Sequence, residues 1–330
     1  MNPKTAVRSL ALFALALGSV ALAAGCASGP DVAADGRLTV VATTPHVAEL
    51  VREVGGDRVE VATLLPGNAD PHDYEPRPSD AEAMAGAAAV FAAGGIDEWA
   101  HELAEAAGNG RYVELVEAVQ TMPMPGHEER EGEVHAGDGH DHGGTDPHWW
   151  QDPANAILAA AAIGDELATL DPASADVYAG NVDRFRAGVE EMDGRIAACF
   201  DAIPPDRRRI VTTHHSLGYF GHRYGIEIVG AVLPSLTTEA QPSAAEIADL
   251  VDRIRDLDVP VVFGEAGIAA AVERAVAEES GIRVGDQLFV DILGPEGTPE
   301  ATYTGALAAN ADAIAAGITG RPDGCGLSGS

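Results

Sequence analysis

The tripeptide Asp-Pro-His occurs twice, at residues 70–72 and 146–148, and it combines residue types that suit a metal ion. Proline fixes the backbone before each histidine, and the neighbouring aspartate can accept the imidazole N–H and orient the ring. A single Asp-Pro would indicate only a turn. Two copies in predicted loops make His72 and His148 candidate metal ligands.

Two further candidates lie in the second half of the chain, at or near the ends of predicted strands. His214 follows a strand predicted over residues 209–213, and Asp291 belongs to one predicted over residues 282–293. In open α/β sheets, ligands gather outside the carboxyl ends of strands. Three imidazoles and one carboxylate suit a four-coordinate Zn²⁺. Each residue alone is more typical of a surface or a core, so the hypothesis depends on the combination.

A histidine-rich stretch precedes the second tripeptide. It is rich in glycine and carboxylates and has no apolar periodicity, so we predict a flexible loop over residues 120–145. Its histidines before the tripeptide are His127, His135, His140 and His142. Imidazoles among carboxylates bind borderline divalent metals, which predicts a weak secondary zinc site in this loop.

Predicted strands and helices alternate on both sides of this loop, which indicates parallel βα units covered on both faces. Between the two halves, residues 171–203 carry an apolar stripe with alternating steps of four and three. That stripe predicts one long straight helix crossing both halves as a rigid strut. With ligands in each half, the metal would lie in the cleft between them.

We therefore predict an α/β fold of two lobes, each with a mainly parallel four-stranded sheet flanked by helices, joined by one long rigid helix. The metal lies in the interlobe cleft. The predicted segments are a signal peptide (1–25), a tether (26–36), an N-terminal lobe (37–170), the long linking helix (171–203) and a C-terminal lobe (204–330).

The amino terminus has the features of an export signal. Lys4 and Arg8 precede an apolar run over residues 10–24, which is too short for a permanent membrane span. Small residues before Cys26 predict a lipoprotein whose mature chain begins at that lipidated cysteine. Residues 21–23 could instead serve ordinary cleavage, and either route exports the protein.

Export bears on the two remaining cysteines, Cys199 and Cys325. An even number of cysteines in an oxidising compartment predicts a disulfide between them, with two unpaired thiols as the alternative.

The formal net charge of −32 argues against nucleic acid as a partner, because nucleic-acid binding needs a basic surface. The same charge attracts cations, although genome composition or a salty habitat explains it equally well.

Four motifs, over residues 65–76, 146–153, 211–220 and 289–291, are specific as a set. With them the chain, from residue 38 to about 318, resembles the cluster A-I solute-binding lipoproteins of bacterial ABC importers for zinc and manganese. The resemblance implies two α/β lobes joined by a rigid helix around a buried metal. It carries ligand roles onto His72, His148, His214 and Asp291. It also implies docking on a membrane permease with its ATPase, and we expect an extracytoplasmic, lipid-anchored monomer.

The resemblance also bears on the metal. Manganese members have glutamate at the position of His214 and zinc members have histidine, and nitrogen donors favour Zn²⁺ over Mn²⁺. His215 stands where the family commonly has aspartate, so it is open which of the two faces inward, with the alignment favouring His214. His46, His101 and His222 are predicted to be surface or structural residues, with His46 the first candidate for an exception.

The predicted function is capture of Zn²⁺ and its delivery to an ABC-type importer. No catalysis is expected, because four protein ligands leave no open position for an activated water. Mn²⁺ or Fe²⁺ as the cargo is the main alternative. A secreted zinc hydrolase would need a general base, for which Glu265 is the candidate. A binding or adhesion module with a structural metal is the third possibility.

Overall fold

A computed structural model describes residues 36–67, 69–124, 144–233 and 242–328. The predicted signal peptide, most of the tether and Cys26 lie outside these residues. So do His127, His135, His140 and His142. The described edges of the histidine-rich stretch are joined by an antiparallel bridge between Pro123 and Thr145 and by a hydrogen bond from Met124 N to Gly144 O (2.8 Å).

The first sheet has four parallel strands, β1 (Leu38–Ala42), β2 (Val59–Thr63), β3 (Val90–Ala92) and β4 (Tyr112–Glu114), in the order β2-β1-β3-β4. Helices α1 (Pro45–Gly55), α2 (Pro78–Ala85), α3 (Trp99–Ala106) and α4 (Pro153–Leu170) accompany it. The central strands β1 and β3 are almost wholly apolar, as expected when both faces of a parallel sheet are covered. We call this sheet and its helices the first lobe.

The second sheet repeats the arrangement with β5 (Arg209–Thr212), β6 (Glu227–Ala231), β7 (Val261–Val262) and β8 (Arg283–Val284), in the order β6-β5-β7-β8. All of its strand pairs are parallel. Helices α6 (Gly218–Tyr224), α7 (Ala244–Asp256), α8 (Ala271–Ser280) and α9 (Tyr303–Thr319) accompany it. This sheet and its helices form the second lobe. The predicted fold class is confirmed, while the predicted segment boundaries stay predictions.

Helix α5 (Ala175–Asp201) connects the lobes. Its 27 residues span about 40 Å at 1.5 Å per residue. Its apolar stripe is buried, including Tyr178, Phe185 and Ile196, and it packs against α1 and α4 on one side and α6 and α9 on the other. One continuous apolar cluster runs from Val40 of the first lobe to Phe263 of the second, so the lobes share a core.

The carboxyl end of α5 is tied to the tail of the chain. A disulfide joins Cys199 to Cys325 with a Cα–Cα distance of 5.5 Å. The carboxylate of Asp312 in α9 also accepts hydrogen bonds from the backbone N–H groups of Cys325, Leu327 and Ser328. The tail is thereby held against α9.

One local prediction was wrong. The strand predicted over residues 282–293 ends at Val284, and Asp291 lies in a bend. The chain still pairs beyond Val284, through a hydrogen bond from Gly285 N to Val262 O (2.8 Å) and an isolated parallel bridge between Glu265 and Leu288. Gly285 packs so closely on Phe263 that a Cβ would lie 2.2 Å from its ring.

Candidate metal centre

His72 follows β2 on a 3₁₀ turn (Pro71–Asp73). The Asp70 carboxylate caps this turn by accepting the backbone N–H of His72 at 2.9 Å. The turn is fixed within the first lobe by Tyr74, whose hydroxyl donates to Asp80 at 2.7 Å. The His72 side chain is only 6% exposed, and it points its Nε2 towards Asp291.

His148 belongs to the second Asp-Pro-His tripeptide, which precedes a 3₁₀ turn at Trp149–Gln151. Asp146 accepts the backbone N–H of His148 at 3.0 Å, as in the first tripeptide. Here the carboxylate also reaches the ring, with 2.7 Å between Asp146 Oδ1 and His148 Nδ1. Both side chains are buried. The contact fixes the ring so that Nε2 faces the other candidates.

His214 comes directly after Thr212 and Thr213, at the carboxyl end of β5. Its ring Nδ1 lies 2.8 Å from Glu265 Oε1, and Thr212 donates its hydroxyl to the His214 carbonyl. Both His214 and Glu265 are buried. The second lobe thus supplies this imidazole from a strand end, as the sequence predicted.

Asp291 completes the cluster. Its Oδ2 lies 3.4 Å from His72 Nε2 and 3.3 Å from His214 Nε2, and its Oδ1 lies 3.5 Å from His148 Nε2. The Nε2 atoms of His148 and His214 are 3.3 Å apart. A tetrahedral ion with bonds of about 2.0–2.1 Å has ligand–ligand edges of about 3.3–3.4 Å. These distances match edges of a tetrahedral site, and the four candidate ligand atoms all lie within 4.8 Å of one another.

Two buried atoms of this cluster, His72 Nε2 and Asp291 Oδ1, make no hydrogen bond within the described part of the chain. Unpaired buried polar atoms are costly, and a cation between them would satisfy both. Three imidazoles and one carboxylate, all turned inwards, therefore fit a divalent metal ion.

The pKa shifts of Asp291 and His214 also support binding of a cation by this cluster. Burial alone would raise the pKa of Asp291, but the neighbouring His214 and His148 hold it well below its usual range. Burial would likewise lower the pKa of His214, but the carboxylates of Glu265 and Asp291 outweigh it and raise that pKa. The aspartate is thus anionic and ready to bind a cation.

The other histidines lie outside the cluster. His215 is half-buried and lines a cavity of about 390 Å³ with Asp146 and Arg253, so it is His214 that joins the cluster. His46 is buried and stacks on Trp150 at 5.2 Å, and burial lowers its pKa to about 4. His101 packs edge-on against Tyr112, and His222 is exposed.

Sequence reasoning missed the place of Glu265, which it considered only as the base of a hydrolase. The structure places it against the ring of His214, on the side away from the other three candidates. Its position beyond the end of β7 was the available signal, because strand ends at one sheet edge lie close together.

Comparison with known proteins gives a consistent picture. The profile of the family described as "Zinc-uptake complex component A periplasmic" matches residues 40–317. The metal ABC transporter substrate-binding lipoprotein FimA of Streptococcus parasanguinis is 30% identical over 319 residues, covering 94% of this chain and 97% of FimA. The manganese-binding lipoprotein MntA of Halalkalibacterium halodurans is 28% identical over 301 residues, covering 90% and 95%.

The fold is also found among solved structures. The periplasmic zinc-binding protein TroA from Treponema pallidum superposes with a TM-score of 0.74 at 24% identity, covering 86% of this chain and 99% of TroA. Within the described residues, none of the helices has the length and apolar character needed to cross a membrane.

Proposed function

The chain belongs to the family of the periplasmic zinc-uptake complex component A, and from that membership we propose that it captures Zn²⁺ outside the cytoplasm and delivers it to an ABC-type importer. The coarser part of this function, metal binding on behalf of an ABC transporter, is that of the family. The family consists of transport components, not enzymes, so the hydrolase reading of Glu265 is set aside.

The observation that carries the proposal is the convergence of His72, His148, His214 and Asp291 on one position. Three of the four donor atoms are imidazole nitrogens, and such donors favour Zn²⁺ over Mn²⁺. The edges of 3.3–3.5 Å suit the short bonds of a tetrahedral zinc ion. Four protein ligands also enclose the ion, as transport and structural sites require.

One observation favours Mn²⁺ or Fe²⁺ as a second candidate cargo. The two oxygens of Asp291 face different ligands, Oδ1 towards His148 and Oδ2 towards His72 and His214. A carboxylate that bound through both oxygens would give five donors and suit ions that prefer more ligands. The manganese named in the relative MntA agrees with this alternative.

Delivery requires partners at the membrane. A permease and its ATPase would receive the metal, and a lipid on Cys26 would keep the protein at the outer face of the cell membrane. A single chain supplies all four candidate ligands, so a monomer is sufficient for binding. The tether before residue 37 would leave the lobes free to reach the permease.

A competition experiment tests the choice of metal. The metal-free protein is mixed with Zn²⁺, Mn²⁺ and Fe²⁺ at equal concentrations under anaerobic conditions. Native mass spectrometry then identifies the bound metal and its stoichiometry. We expect one zinc ion per chain, and we expect His148→Ala to lose it while His222→Ala, at an exposed histidine, keeps it. Retention of manganese or iron in preference to zinc would overturn the zinc proposal, and no metal at all would overturn the binding function.

A further inference from the structure

The three candidate histidine ligands differ in whether a carboxylate contacts the ring nitrogen Nδ1, on the side away from the metal position. The rings of His148 and His214 each contact a buried carboxylate through Nδ1, Asp146 at 2.7 Å and Glu265 at 2.8 Å. The two carboxylate residues are 2% and 3% exposed. A carboxylate in this position keeps the proton on Nδ1, directs the lone pair of Nε2 to the metal and strengthens the ligand.

His72 is different, although it belongs to the same tripeptide as His148. Asp70 contacts the backbone N–H of His72 at 2.9 Å, and among the described residues no carboxylate accepts the Nδ1 proton of the His72 ring. Asp70 is half-buried, whereas Asp146 is buried. In the first tripeptide, therefore, the aspartate fixes only the backbone turn that carries His72. In the second, the aspartate also contacts the ring of His148.

The two supporting carboxylates are themselves fixed. Asp146 is clamped by Tyr219 of the second lobe, whose hydroxyl donates to the Asp146 carbonyl at 3.0 Å. Its Oδ2 lies so close to Gly218 that a Cβ there would be 2.7 Å away. Glu265 also accepts the backbone N–H of His214 at 3.3 Å. Fixed partners transmit their orientation to the rings that they contact.

The chain segments that carry His148 and His72 also differ in their hydrogen bonds to the second lobe. Residues 146–151 are bonded to both lobes. Trp149 donates to the carbonyl of Ala93 in the first lobe, and Trp150 and Gln151 donate to the carbonyl of Val290, next to Asp291, in the second. The hydrogen bonds of Tyr74, after His72, go to Asp80 and to Leu64 of the first lobe. The segment that carries His148 is thus held to the second lobe by hydrogen bonds, whereas neither hydrogen bond of Tyr74 crosses between the lobes, so separation of the lobes would draw His72 away most easily.

We propose that Asp146 and Glu265 are positioning residues that hold His148 and His214 in the metal-binding orientation, and that His72 is the ligand that leaves the metal first. The inference rests on the proposed metal-binding function, but it holds for any of the candidate ions. Release would then begin at the first lobe and leave the ion on His148, His214 and Asp291.

Isosteric amides test the positioning role, and the first tripeptide supplies the matched control. Asp146→Asn and Glu265→Gln should each speed the capture of Zn²⁺ by a competing chelator by roughly tenfold to a hundredfold. They should also shift the visible absorption bands of the Co²⁺-loaded protein, a signal that a purely structural defect would not change. Asp70→Asn keeps an oxygen that can accept the backbone N–H of His72, so it should change both readouts less than Asp146→Asn does.

Gly218→Ala gives an independent test, because its methyl group displaces the Asp146 carboxylate without removing its charge. It should change the Co²⁺ spectrum and the release rate in the same direction as Asp146→Asn. Thermal melting of each metal-free variant identifies any that is unfolded. Equal effects of Asp146→Asn and Asp70→Asn in folded protein, or no effect of Glu265→Gln, would overturn the positioning role.

The order of release is tested at the ligands themselves. His72→Ala should still bind one Co²⁺ through three ligands, with an open position that added imidazole fills and that restores the spectrum. His148→Ala should bind far more weakly, and imidazole should not restore it. Rescue of His148→Ala but not of His72→Ala by imidazole would overturn the proposal that His72 leaves the metal first. Failure of the wild type to bind any metal would instead defeat the proposed function, so the two failures are distinguishable.

Discussion

The indole N–H of Trp150 donates to the backbone carbonyl of Val290 at 2.8 Å, although 140 residues separate them in the chain. Trp150 follows His148 closely, and Val290 immediately precedes Asp291. The side-chain amide of Gln151 donates to the same carbonyl at 3.0 Å. The segments that carry two candidate ligands are therefore bonded directly to each other. We infer that His148 and Asp291 keep their spacing when no metal holds them.

Replacing Trp150 by phenylalanine should speed metal release. The variant keeps an aromatic ring beside His148 but removes one hydrogen bond between the ligand segments. Loss of a buried hydrogen bond costs about 1–2 kcal/mol, which corresponds to a release rate roughly 5- to 30-fold higher if the cost falls on the bound state. Stopped-flow capture of Zn²⁺ by a chelator measures the rate.

Trp149→Phe is the matched control. Its indole N–H donates to the carbonyl of Ala93 in the first lobe at 3.0 Å, so a comparable buried bond is lost without touching Val290. Both variants should lower the melting temperature of the metal-free protein, and only Trp150→Phe should change the release rate. Equal acceleration by the two variants would contradict a special role for the Trp150–Val290 bond.

The choice of metal should depend on His214 together with Glu265. A glutamate at position 214 would place a second carboxylate against Glu265, whose Oε1 lies 2.8 Å from the present imidazole. We expect His214→Glu alone to bind Zn²⁺ at least about a hundredfold more weakly, because a nitrogen donor is lost and two buried carboxylates repel each other. Competition titration calorimetry measures the affinity.

The double variant His214→Glu/Glu265→Gln removes that repulsion. It should gain Mn²⁺ affinity relative to the single variant, because an oxygen donor replaces nitrogen and the neighbouring amide is neutral. Glu265→Gln alone is the control and should stay selective for zinc. A single His214→Glu variant that binds Mn²⁺ as well as the double variant would show that Glu265 does not matter for this exchange.

Much of this architecture was predictable because its signals are local. Proline is favoured at the first position of a helix, and α4 begins at Pro153 with the Asp152 carboxylate as its cap. The stripe on α5 is likewise a property of consecutive turns. Three of the four candidate ligands, His72, His148 and His214, follow from a repeated tripeptide and a strand end, both of which are visible in the sequence.

The remainder depends on partners that are distant in the chain. Glu265 reaches the ring of His214 from 51 residues away. The two tripeptides are identical in sequence, but Asp146 contacts the ring of its histidine because Gly218 and Tyr219 of the second lobe hold it in place. The sequence of the tripeptide itself does not show this contact. The predicted strand through Asp291 ends at Val284, and the next residue, Gly285, lies against Phe263, which is also distant in the chain.

Deleting residues 127–142 should leave one tightly bound zinc ion per chain. The described edges of this stretch are paired, with Met124 N donating to Gly144 O at 2.8 Å, so the shortened chain can close with little strain. Because the deletion removes four histidines, total zinc bound at high concentration should fall, as should the rate of loading from dilute zinc. Equilibrium dialysis with metal analysis measures both quantities. Loss of the tight site itself would contradict a separate, weak role for the loop.

Removing the disulfide should lower stability without changing metal binding. The bond between Cys199 and Cys325 joins residues 126 positions apart, and removing such a cross-link costs about 2–5 kcal/mol. The double variant Cys199→Ala/Cys325→Ala should unfold at lower urea concentration and still bind one zinc ion, since neither cysteine approaches the metal cluster. Two free thiols in denatured, unreduced wild-type protein would show that the bond does not form.

Glu49, on the partly buried side of α1, should make the protein less stable as the pH rises. Burial, with a smaller effect of Glu53, raises the pKa of Glu49 from 4.5 to about 7. The folded protein therefore holds this proton more tightly than the unfolded chain. The contribution to stability is fully present below pH 4.5 and is lost as the pH rises through 7. Glu49→Gln removes this dependence.

The variant should therefore match the wild type near pH 4.5 and exceed it at pH 8. The full shift would correspond to about 3 kcal/mol, and because the side chain is only half-buried we expect about 1–2 kcal/mol. Urea unfolding of the metal-free proteins at several pH values gives the difference directly. A Glu49→Gln variant that gains nothing at pH 8 would mean that Glu49 is ionised in the folded protein without strain.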